Sequence, residues 1–394
     1  MNSLLKTRLP PKVAIVHEWF HPKYKGGAEQ VVRQIDGLFH EIGLEVKLAA
    51  LIDAESKNKD SWLYGRDVLT SFIQNMPSGK SNIQSWLPFL PLAIEQLDLS
   101  KYKLIVSSSH LVAKGILTSP EQLHISYVHT PARYAWDQMQ TYLHHSRLVK
   151  MGLGPLITWQ LHRFRQWDQL SASRVDLFIA NSHFTSQRIA KYWGRKSEVI
   201  HPPVDLKRFS WRVPREDFYL CVCRLVPNKR VDILVKAFNN LNLPLVIVGD
   251  GSQNSYIKKI ASKNIKVLGS TPPNVVEDLM SRCRAFVYSG FEDFGIAPVE
   301  AMASGAPVIA YGAGGILDSV KCISSGLDSP TGLLFPDQSV NSLIEAVKHF
   351  ENKKLWKELN PESIREWSES FSSESFAKKI QGTIIKAWDM HNAY

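Results

Sequence analysis

Residues 13–43 read VAIVHEWFHPKYKGGAEQVVRQIDGLFHEIG. The run Val13–Val16 is short, apolar and unbroken, as suits a parallel strand covered on both faces. It leads through His17, Glu18 and Trp19 to Gly26-Gly27. A helix is predicted next, with Ala28, Val31, Val32, Ile35, Leu38, Phe39 and Ile42 along one face. Gly43 stands where a left-handed C-cap would close it. The same strand–loop–helix theme recurs. Strands are predicted at Val46–Leu51, Leu104–Ser107, His124–Val128 and Leu177–Ala180. Pro202-Pro203 interrupts the pattern, and a second series follows. Its strands are Tyr219–Cys223, Leu245–Val248, Ile265–Leu268, Ala285–Tyr288 and Pro307–Tyr311, with a helix over Val231–Leu241. Alternating strands and helices imply parallel, doubly wound α/β sheets. Two Rossmann-like domains are therefore expected, over residues 1–203 and 204–372, with an amphipathic helix over 373–394.

A length of 394 residues suits two or three domains. Apolar residues at 44% and charged residues at 21% are ordinary for a globular chain, which excludes coiled coil or disorder as the main architecture. No run of about 18 apolar residues occurs, so no membrane-spanning helix is expected. Met1–Pro11 lacks the apolar core of a secretory signal. The four cysteines, Cys221, Cys223, Cys283 and Cys322, form neither a disulfide framework nor a paired zinc motif. A reducing, cytoplasmic location is expected. Residues 1–203 carry 24 basic and 16 acidic side chains of the 47 and 37 in the chain. The basic excess thus sits in the first half and implies an anionic partner there: a phosphorylated substrate, a phospholipid surface or nucleic acid.

In open α/β sheets ligands bind beyond the carboxyl ends of the strands, and the chemically notable residues fall there. After Ala285–Tyr288 comes Glu292-Asp293-Phe294-Gly295-Ile296-Ala297-Pro298-Val299-Glu300. Pro298 suits a first helical turn, which puts Glu300 near a helix N-terminus. Main-chain N–H groups around Gly295 to Ala297 are placed for phosphate or sugar oxygens. Glu300 suits the two hydroxyls of a ribose; the plainer alternative is a complement to the helix dipole. After Tyr219–Cys223 come Arg224 and Lys229, a forked and a point cation suited to a pyrophosphate or, more plainly, two surface charges. His129 follows His124–Val128 and is followed by Arg133, Tyr134, Trp136 and Asp137, residue types that bind sugars and phosphates. Asn181-Ser182 takes the same place after a later strand, where Ser182 or Asn181 would also cap a helix. Gly26-Gly27 and Gly312-Ala313-Gly314-Gly315 permit close backbone approach to a ligand or make plain turns. No GxGxxG or Walker motif is present. Residues 142–174 interleave Trp159 and Trp167 with Arg147, Lys150, Arg163, Arg165, Asp168 and Arg174, net +4. This is either a basic–aromatic surface for anionic lipid or a packed helix with a basic face.

These motifs, in this order, resemble the retaining glycosyltransferases of family 4, the group 1 enzymes of GT-B fold. The resemblance runs from Val13 to about Phe350. Within the family, HTPARYAWD (129–137), FIANSHFTSQRIAKYWGR (178–195), CRLVPNKRVD (223–232), FEDFGIAPVEAMASGAPVIAYGAGG (291–315) and SPTGLLF (329–335) are similar to the bacterial mannosyltransferases of surface-polysaccharide assembly. The resemblance implies two domains facing across a cleft, with the last helix crossing back to the first domain. It implies a nucleotide-sugar donor, GDP-mannose, bound by the second domain without metal or other cofactor. Arg224 and Lys229 would hold the diphosphate, Glu300 the ribose, and Phe294, Gly295, Ile296 and Gly314 the rest of the donor. Glu292 and His129 would face the transferred sugar. Gly26, Gly27, Arg133, Tyr134 and Trp136 would serve a glycan or lipid-diphosphate-linked acceptor, on a protein that is cytoplasmic or peripheral on the inner membrane face. Retention in the family is explained by front-face attack, with the leaving phosphate taking the acceptor proton. The chain departs from the family's pattern at Cys223, where Gly often precedes the phosphate-binding Arg, and at His17-Glu18-Trp19, where His-Asp-Trp is frequent. The competing classes are a phosphorylase or nucleotide-sugar epimerase on the same fold, and a non-catalytic glycan- or nucleotide-binding subunit. Nucleic-acid binding has only the net charge of +10 in its favour, with no accompanying motif.

Overall fold

The computed structural model describes residues 8–24, 26–146 and 149–393. Met1–Thr7 and Arg147 lie outside them. The chain divides into two compact units: residues 1–201 with 376–394, and residues 202–375.

Unit 1 is built on a parallel seven-stranded sheet: β1 (Lys12–Phe20), β2 (Glu45–Asp53), β3 (Val68–Thr70), β4 (Leu104–Ser109), β5 (Leu123–Val128), β6 (Leu177–Ala180) and β7 (Ser197–Val199), in the order β3-β2-β1-β4-β5-β6-β7. β4 and β5 are buried at every residue, as strands covered on both faces must be. The expected helix spans Gly27–Glu41 and buries Val31, Val32, Ile35, Leu38 and Phe39, and Gly43 follows at φ 80°. The strands β3 and β7, each three residues long, have no counterpart in the sequence reading. The helix Ser373–His391 contributes Phe376, Ile380, Ile384 and Trp388 to the cluster that holds Val13, Ile15, Tyr127 and Ile179. It is thus part of the core of unit 1, and each such burial contributes about 1.5–3 kcal/mol.

Unit 2 holds a parallel six-stranded sheet: β8 (Tyr219–Val222), β9 (Leu245–Val248), β10 (Ile265–Gly269), β11 (Ala285–Tyr288), β12 (Val308–Tyr311) and β13 (Gly332–Phe335), in the order β10-β9-β8-β11-β12-β13. β13, too, has no counterpart in the sequence reading. The helix Val231–Leu241 buries Ile233, Leu234, Val235, Ala237 and Phe238 against this sheet.

In each sheet the strand order reverses once, between β1 and β4 in unit 1 and between β8 and β11 in unit 2. Helices diverge at such a switch point and leave a crevice beyond the strand ends, where ligands bind in this class of sheet.

Candidate active site

At the switch point of unit 2, Arg224 follows β8 by two residues and is exposed. It has no ion pair or side-chain hydrogen bond among the described residues. Lys229 closes the short turn Pro227–Lys229, and its Nζ pairs with Glu292 in the loop after β11. Tyr288 at the end of β11 donates its hydroxyl to the same carboxylate oxygen over 2.6 Å. Lys229 and Glu292 are mostly buried, at 13% and 17% side-chain exposure. The strand ends therefore bring together Lys229, Tyr288 and Glu292 as one charged constellation.

The loop after β11 is fixed by close backbone packing. Gly315 donates its N–H to the carbonyl of Glu292 over 2.9 Å. A Cβ on Gly314, at φ 77°, would stand 2.5 Å from that carbonyl oxygen. These glycines are required by the approach of two loops, rather than being a flexible turn. Gly295, at φ 94°, opens the helix Ile296–Ala303. The ring of Phe294 is in the core, 5.6 Å from Phe371. Only its main chain is then suited to a ligand. Ile296 is part-buried on the same core. Glu300 lies one turn into the helix without a side-chain partner among the described residues. Burial pushes its carboxyl up; Arg208 opposes this, and Glu277 and Asp205 add to it. A part-buried carboxylate without partners is suited to accept hydroxyl donors.

At the switch point of unit 1 the register sets His17 of β1 against Ser108 of β4. Glu18 is wholly buried. Its Oε1 accepts the main-chain N–H groups of His110, Leu111, Val112 and Ala113 at 2.9, 2.8, 3.1 and 3.1 Å. Oε2 lies 3.0 Å from Nδ1 of His110. Burial alone would push the Glu18 carboxyl up, but His110, His17 and the main-chain donors hold it well below the usual carboxylate range. This environment fixes the loop after β4 and makes Glu18 a positioning residue rather than an acceptor contact.

His17 bonds the Ser108 carbonyl through Nδ1 at 3.0 Å. Burial lowers it to about 4 against the attraction of Glu18. His129 pairs Nε2 with the Ser108 hydroxyl at 2.8 Å, and its carbonyl accepts from Asn181 over 2.9 Å. Burial, with His110 and His17 nearby, lowers it to about 3. It is therefore a neutral hydrogen-bonding group at neutral pH. Ser182 caps the helix His183–Trp193 by accepting from the N–H of Thr185. His17, Glu18 and His110 place possible metal-ligand atoms within 4.8 Å of one another. Two of those groups already serve the backbone.

The remaining acceptor-side expectations divide. Gly26 is exposed, in extended conformation, with open space where a Cβ would stand, and Gly27 begins its helix. Arg133 lies 3.6 Å from Asp137. The Tyr134 hydroxyl is buried without a hydrogen-bond partner among the described residues. Trp136 is not a sugar platform. Its ring stacks on Tyr192 at 4.6 Å and its N–H goes to Asp168 over 2.8 Å. Asp168 also accepts from Trp193 over 2.8 Å and faces Lys114 at 3.1 Å, both charges fully buried. The basic–aromatic stretch is likewise split. Trp167 and Arg174 turn inward to Glu95, and Arg165 to the Ala135 carbonyl. Met151, Leu153, Leu156 and Trp159 point outward, at 74%, 42%, 55% and 53% exposure. Sequence reasoning missed Ser108, His110 and Tyr288. Only the pairing of β1 with β4, and the strand end at Tyr288, make them visible.

Two family models match: Glycosyl transferases group 1 over residues 204–369, and Glycosyltransferase Family 4 over residues 25–208. Among curated relatives, an uncharacterized glycosyltransferase of Methanocaldococcus jannaschii is 28% identical over 232 residues, covering 58% of this chain and 64% of that one. An alpha-1,3/1,6-mannosyltransferase of Saccharomyces cerevisiae is 28% identical over 282 residues, 56% of each chain. A GDP-mannose-dependent monoacylated alpha-(1-6)-phosphatidylinositol monomannoside mannosyltransferase of Corynebacterium glutamicum is 28% identical over 233 residues, 51% of this chain and 59% of that one. The chain thus spans between about half and two thirds of the length of these relatives. Among solved structures, sucrose-phosphate synthase from Thermosynechococcus elongatus superposes with a TM-score of 0.67 at 16% identity, over 98% of this chain and 100% of that one. Anabaena HepE in complex with UDP and glucose does so with 0.65 at 18% identity, over 95% and 99%. These likenesses identify the fold as GT-B.

Proposed function

The chain belongs to the group 1 glycosyltransferases of family 4, and from that membership we propose that it is a retaining hexosyltransferase. It moves mannose from GDP-mannose to a glycan or lipid-diphosphate-linked acceptor in polysaccharide assembly. The observation that carries this reading is the switch point of unit 2. An uncommitted Arg224 follows β8, Lys229 in the next turn pairs with Glu292, and the partnerless Glu300 lies on the helix after that loop. That set fits a nucleoside diphosphate sugar: cations for the diphosphate, a carboxylate for the ribose and a second carboxylate for the sugar. The relatives named as mannosyltransferases favour mannose and the GDP donor. The UDP held by Anabaena HepE makes a UDP-sugar the alternative.

In this reading Arg224 and Lys229 stabilise the charge that grows on the departing diphosphate, a preorganised electrostatic contribution. The main-chain N–H groups around Gly295 add to it. Glu292 holds hydroxyls of the transferred sugar, and its charge is placed to favour the positive character developing at the anomeric carbon. Lys229 has a second role before the donor binds, since its ion pair orients Glu292. In unit 1, His129, neutral and tied to Ser108, offers a hydrogen bond to a hydroxyl of a ligand at the strand ends of that unit. No metal or other cofactor takes part.

Calorimetric titration with GDP, UDP and ADP in the absence of metal tests the donor site. Selective GDP binding, weakened in Glu300→Ala, is expected, followed by transfer from GDP-mannose. UDP selectivity would replace the donor, and nucleotide binding without transfer to any acceptor would favour a binding subunit. Conversion of the free nucleotide sugar, or an absorbing cofactor, would favour an epimerase or a phosphorylase.

The outward side chains Met151, Leu153, Leu156 and Trp159 favour a second element of this function, docking on an anionic membrane. Lys150 and Arg163 flank them, with the Arg163 guanidinium 5.8 Å from the Trp159 ring. No helix among the described residues is long and apolar enough to cross a membrane. A protein peripheral on the cytoplasmic face would reach lipid-linked acceptors through this surface. Cosedimentation with phosphatidylglycerol vesicles but not phosphatidylcholine vesicles, lost in a Leu156→Glu/Trp159→Glu variant, is expected.

A further inference from the structure

The strand that leads to Arg224 carries two free thiols that the donor reading does not use. Cys221 lies within β8 and is wholly buried; Cys223 directly follows the strand and is part-buried. Side chains two residues apart on a strand point to the same face. An extended chain spans at most about 7 Å over two residues, and the chain bends at Cys223, which shortens that span toward the spacing a disulfide takes. The two sulfurs stand 3.9 Å apart, in hydrogen-bond contact. A disulfide requires them to close to about 2.05 Å. The Cys223 thiol and burial push the Cys221 thiol up, so Cys221 keeps its proton; Lys229 opposes this, which puts the pair within reach of that cation. Cys223, the less buried of the two, is the one to meet an oxidant first.

The backbone beside the thiols is held from the β9 side. Cys221 is in register with Ile247 and Val222 with Val248. Cys223 donates its N–H to the Val248 carbonyl over 3.1 Å, and a Cβ on Gly249 would stand 1.9 Å from the Cys223 carbonyl oxygen. Closing the sulfurs must therefore tighten the bend at Cys223 and re-aim the next residue, Arg224. We propose that Cys221 and Cys223 are an oxidation site for hydroperoxides, closing to a reversible disulfide that turns Arg224 away from the donor diphosphate. The effect on the donor rests on the transferase reading above. The Cys223 thiolate attacks the peroxide and takes one oxygen as sulfenic acid; the O–O bond breaks, and the other oxygen leaves with the thiol proton as water or alcohol. The Cys221 sulfur then attacks the Cys223 sulfur. The S–S bond forms, the S–O bond breaks, and hydroxide leaves with the Cys221 proton as water. Two thiols lose two electrons, and the peroxide gains them. A dithiol reductant reverses the change, readily for so small and strained a ring, as suits a reducing compartment in which disulfides are transient.

The test uses the full chain, reduced, freed of reductant and treated with a stoichiometric amount of hydrogen peroxide. Thiol titration in denaturant should fall from four free cysteines to two. Peptide mass mapping should place a loss of about 2 Da, two hydrogens, in the segment that holds Cys221 and Cys223. Calorimetry should show nucleotide affinity falling about tenfold or more, as for loss of a hydrogen bond from a charged group, and dithiothreitol should restore it. Cys223→Ala should bind nucleotide as the reduced parent does and keep that affinity after peroxide. Arg224→Ala should still form the disulfide, with an affinity that oxidation no longer changes. Peroxide that leaves all four thiols free, drives Cys223 to sulfinic acid or pairs Cys283 with Cys322 overturns the proposal. So does a mapped disulfide with affinity within about twofold of the reduced protein, or an Arg224→Ala chain whose affinity still falls on oxidation. A reduced chain that binds neither GDP nor UDP overturns the donor reading and the effect on Arg224 with it, while thiol titration and mass mapping still decide the oxidation site.

Discussion

The two switch points handle charge in opposite ways. In unit 1 the ends of β1 and β4 are satisfied largely from within: one oxygen of Glu18 takes four main-chain donors, and burial keeps His17 and His129 neutral. In unit 2 the ends of β8 and β11 leave Arg224 and Glu300 without side-chain partners among the described residues, and commit Lys229 and Tyr288 to Glu292. The first arrangement holds atoms in place; the second leaves charged side chains uncommitted. Polar groups settled by the fold tell of architecture, and those left unsettled tell of chemistry.

The strongest test of this contrast lies in the best-satisfied charge of unit 1. Lys114→Met removes a cation that serves Asp168, the Asp168 carbonyl and Ser171, and that stands over the Trp193 ring. Breaking a buried pair from one side costs about 3–5 kcal/mol. Urea titration should show that loss, with GDP affinity unchanged in any protein still folded; a variant as stable as the parent breaks the contrast. Arg224→Ala should do the reverse. Turnover should fall on the order of 10²–10³-fold, as for loss of one preorganised donor to developing charge, while the melting temperature stays within a degree or two. Ordinary turnover in that variant would remove Arg224 from the site.

Acidification sharpens the comparison next. In the folded state His17 and His124 are lowered by burial to about 4 and about 3. Unfolded, they take up protons near pH 6.5. Between those limits the unfolded chain binds more protons, so unit 1 loses stability as the pH falls below about 6.5. By pH 5 the loss is about 2 kcal/mol for each. Glu300 acts with the opposite sign, because its carboxyl is raised in the folded state and its ionisation costs unit 2 stability as the pH rises. Protease-resolved melts at pH 7 and pH 5 should show unit 1 weakening ahead of unit 2; parallel weakening would argue against neutral histidines. The smallest effect is expected at Glu300→Ala, about tenfold in nucleotide affinity or about 1.4 kcal/mol, read by calorimetry.

Much of unit 2 was legible in the sequence because its signals are local. β9, β11 and the helix Val231–Leu241 match their expected bounds, since unbroken apolar runs and a one-sided helical face need no tertiary context. Arg224, Lys229 and Glu292 were legible because each follows a recognisable strand. β3 and β7 were not. Val68–Thr70 is half-buried throughout, and three residues at a sheet edge carry too little pattern. Trp136 misled because an aromatic beside His129 fits a sugar site, whereas its true partner, Asp168, lies 32 residues on. His110 depends on β1 lying beside β4, a pairing that spans 91 residues between His17 and Ser108. Its place beside Glu18 is written in topology rather than in a motif.

The return of the chain to unit 1 has a bearing on how the protein is made. Phe376, Ile380, Ile384 and Trp388 are core residues of the first unit, yet the whole of residues 202–375 is synthesised before them. Domains generally fold as their residues leave the ribosome. Here the second unit has a complete set of core residues first. The nascent first unit must meanwhile keep an apolar flank uncovered beside β1 and β5 until its closing helix emerges. Through that interval the flank is a natural client surface for chaperones.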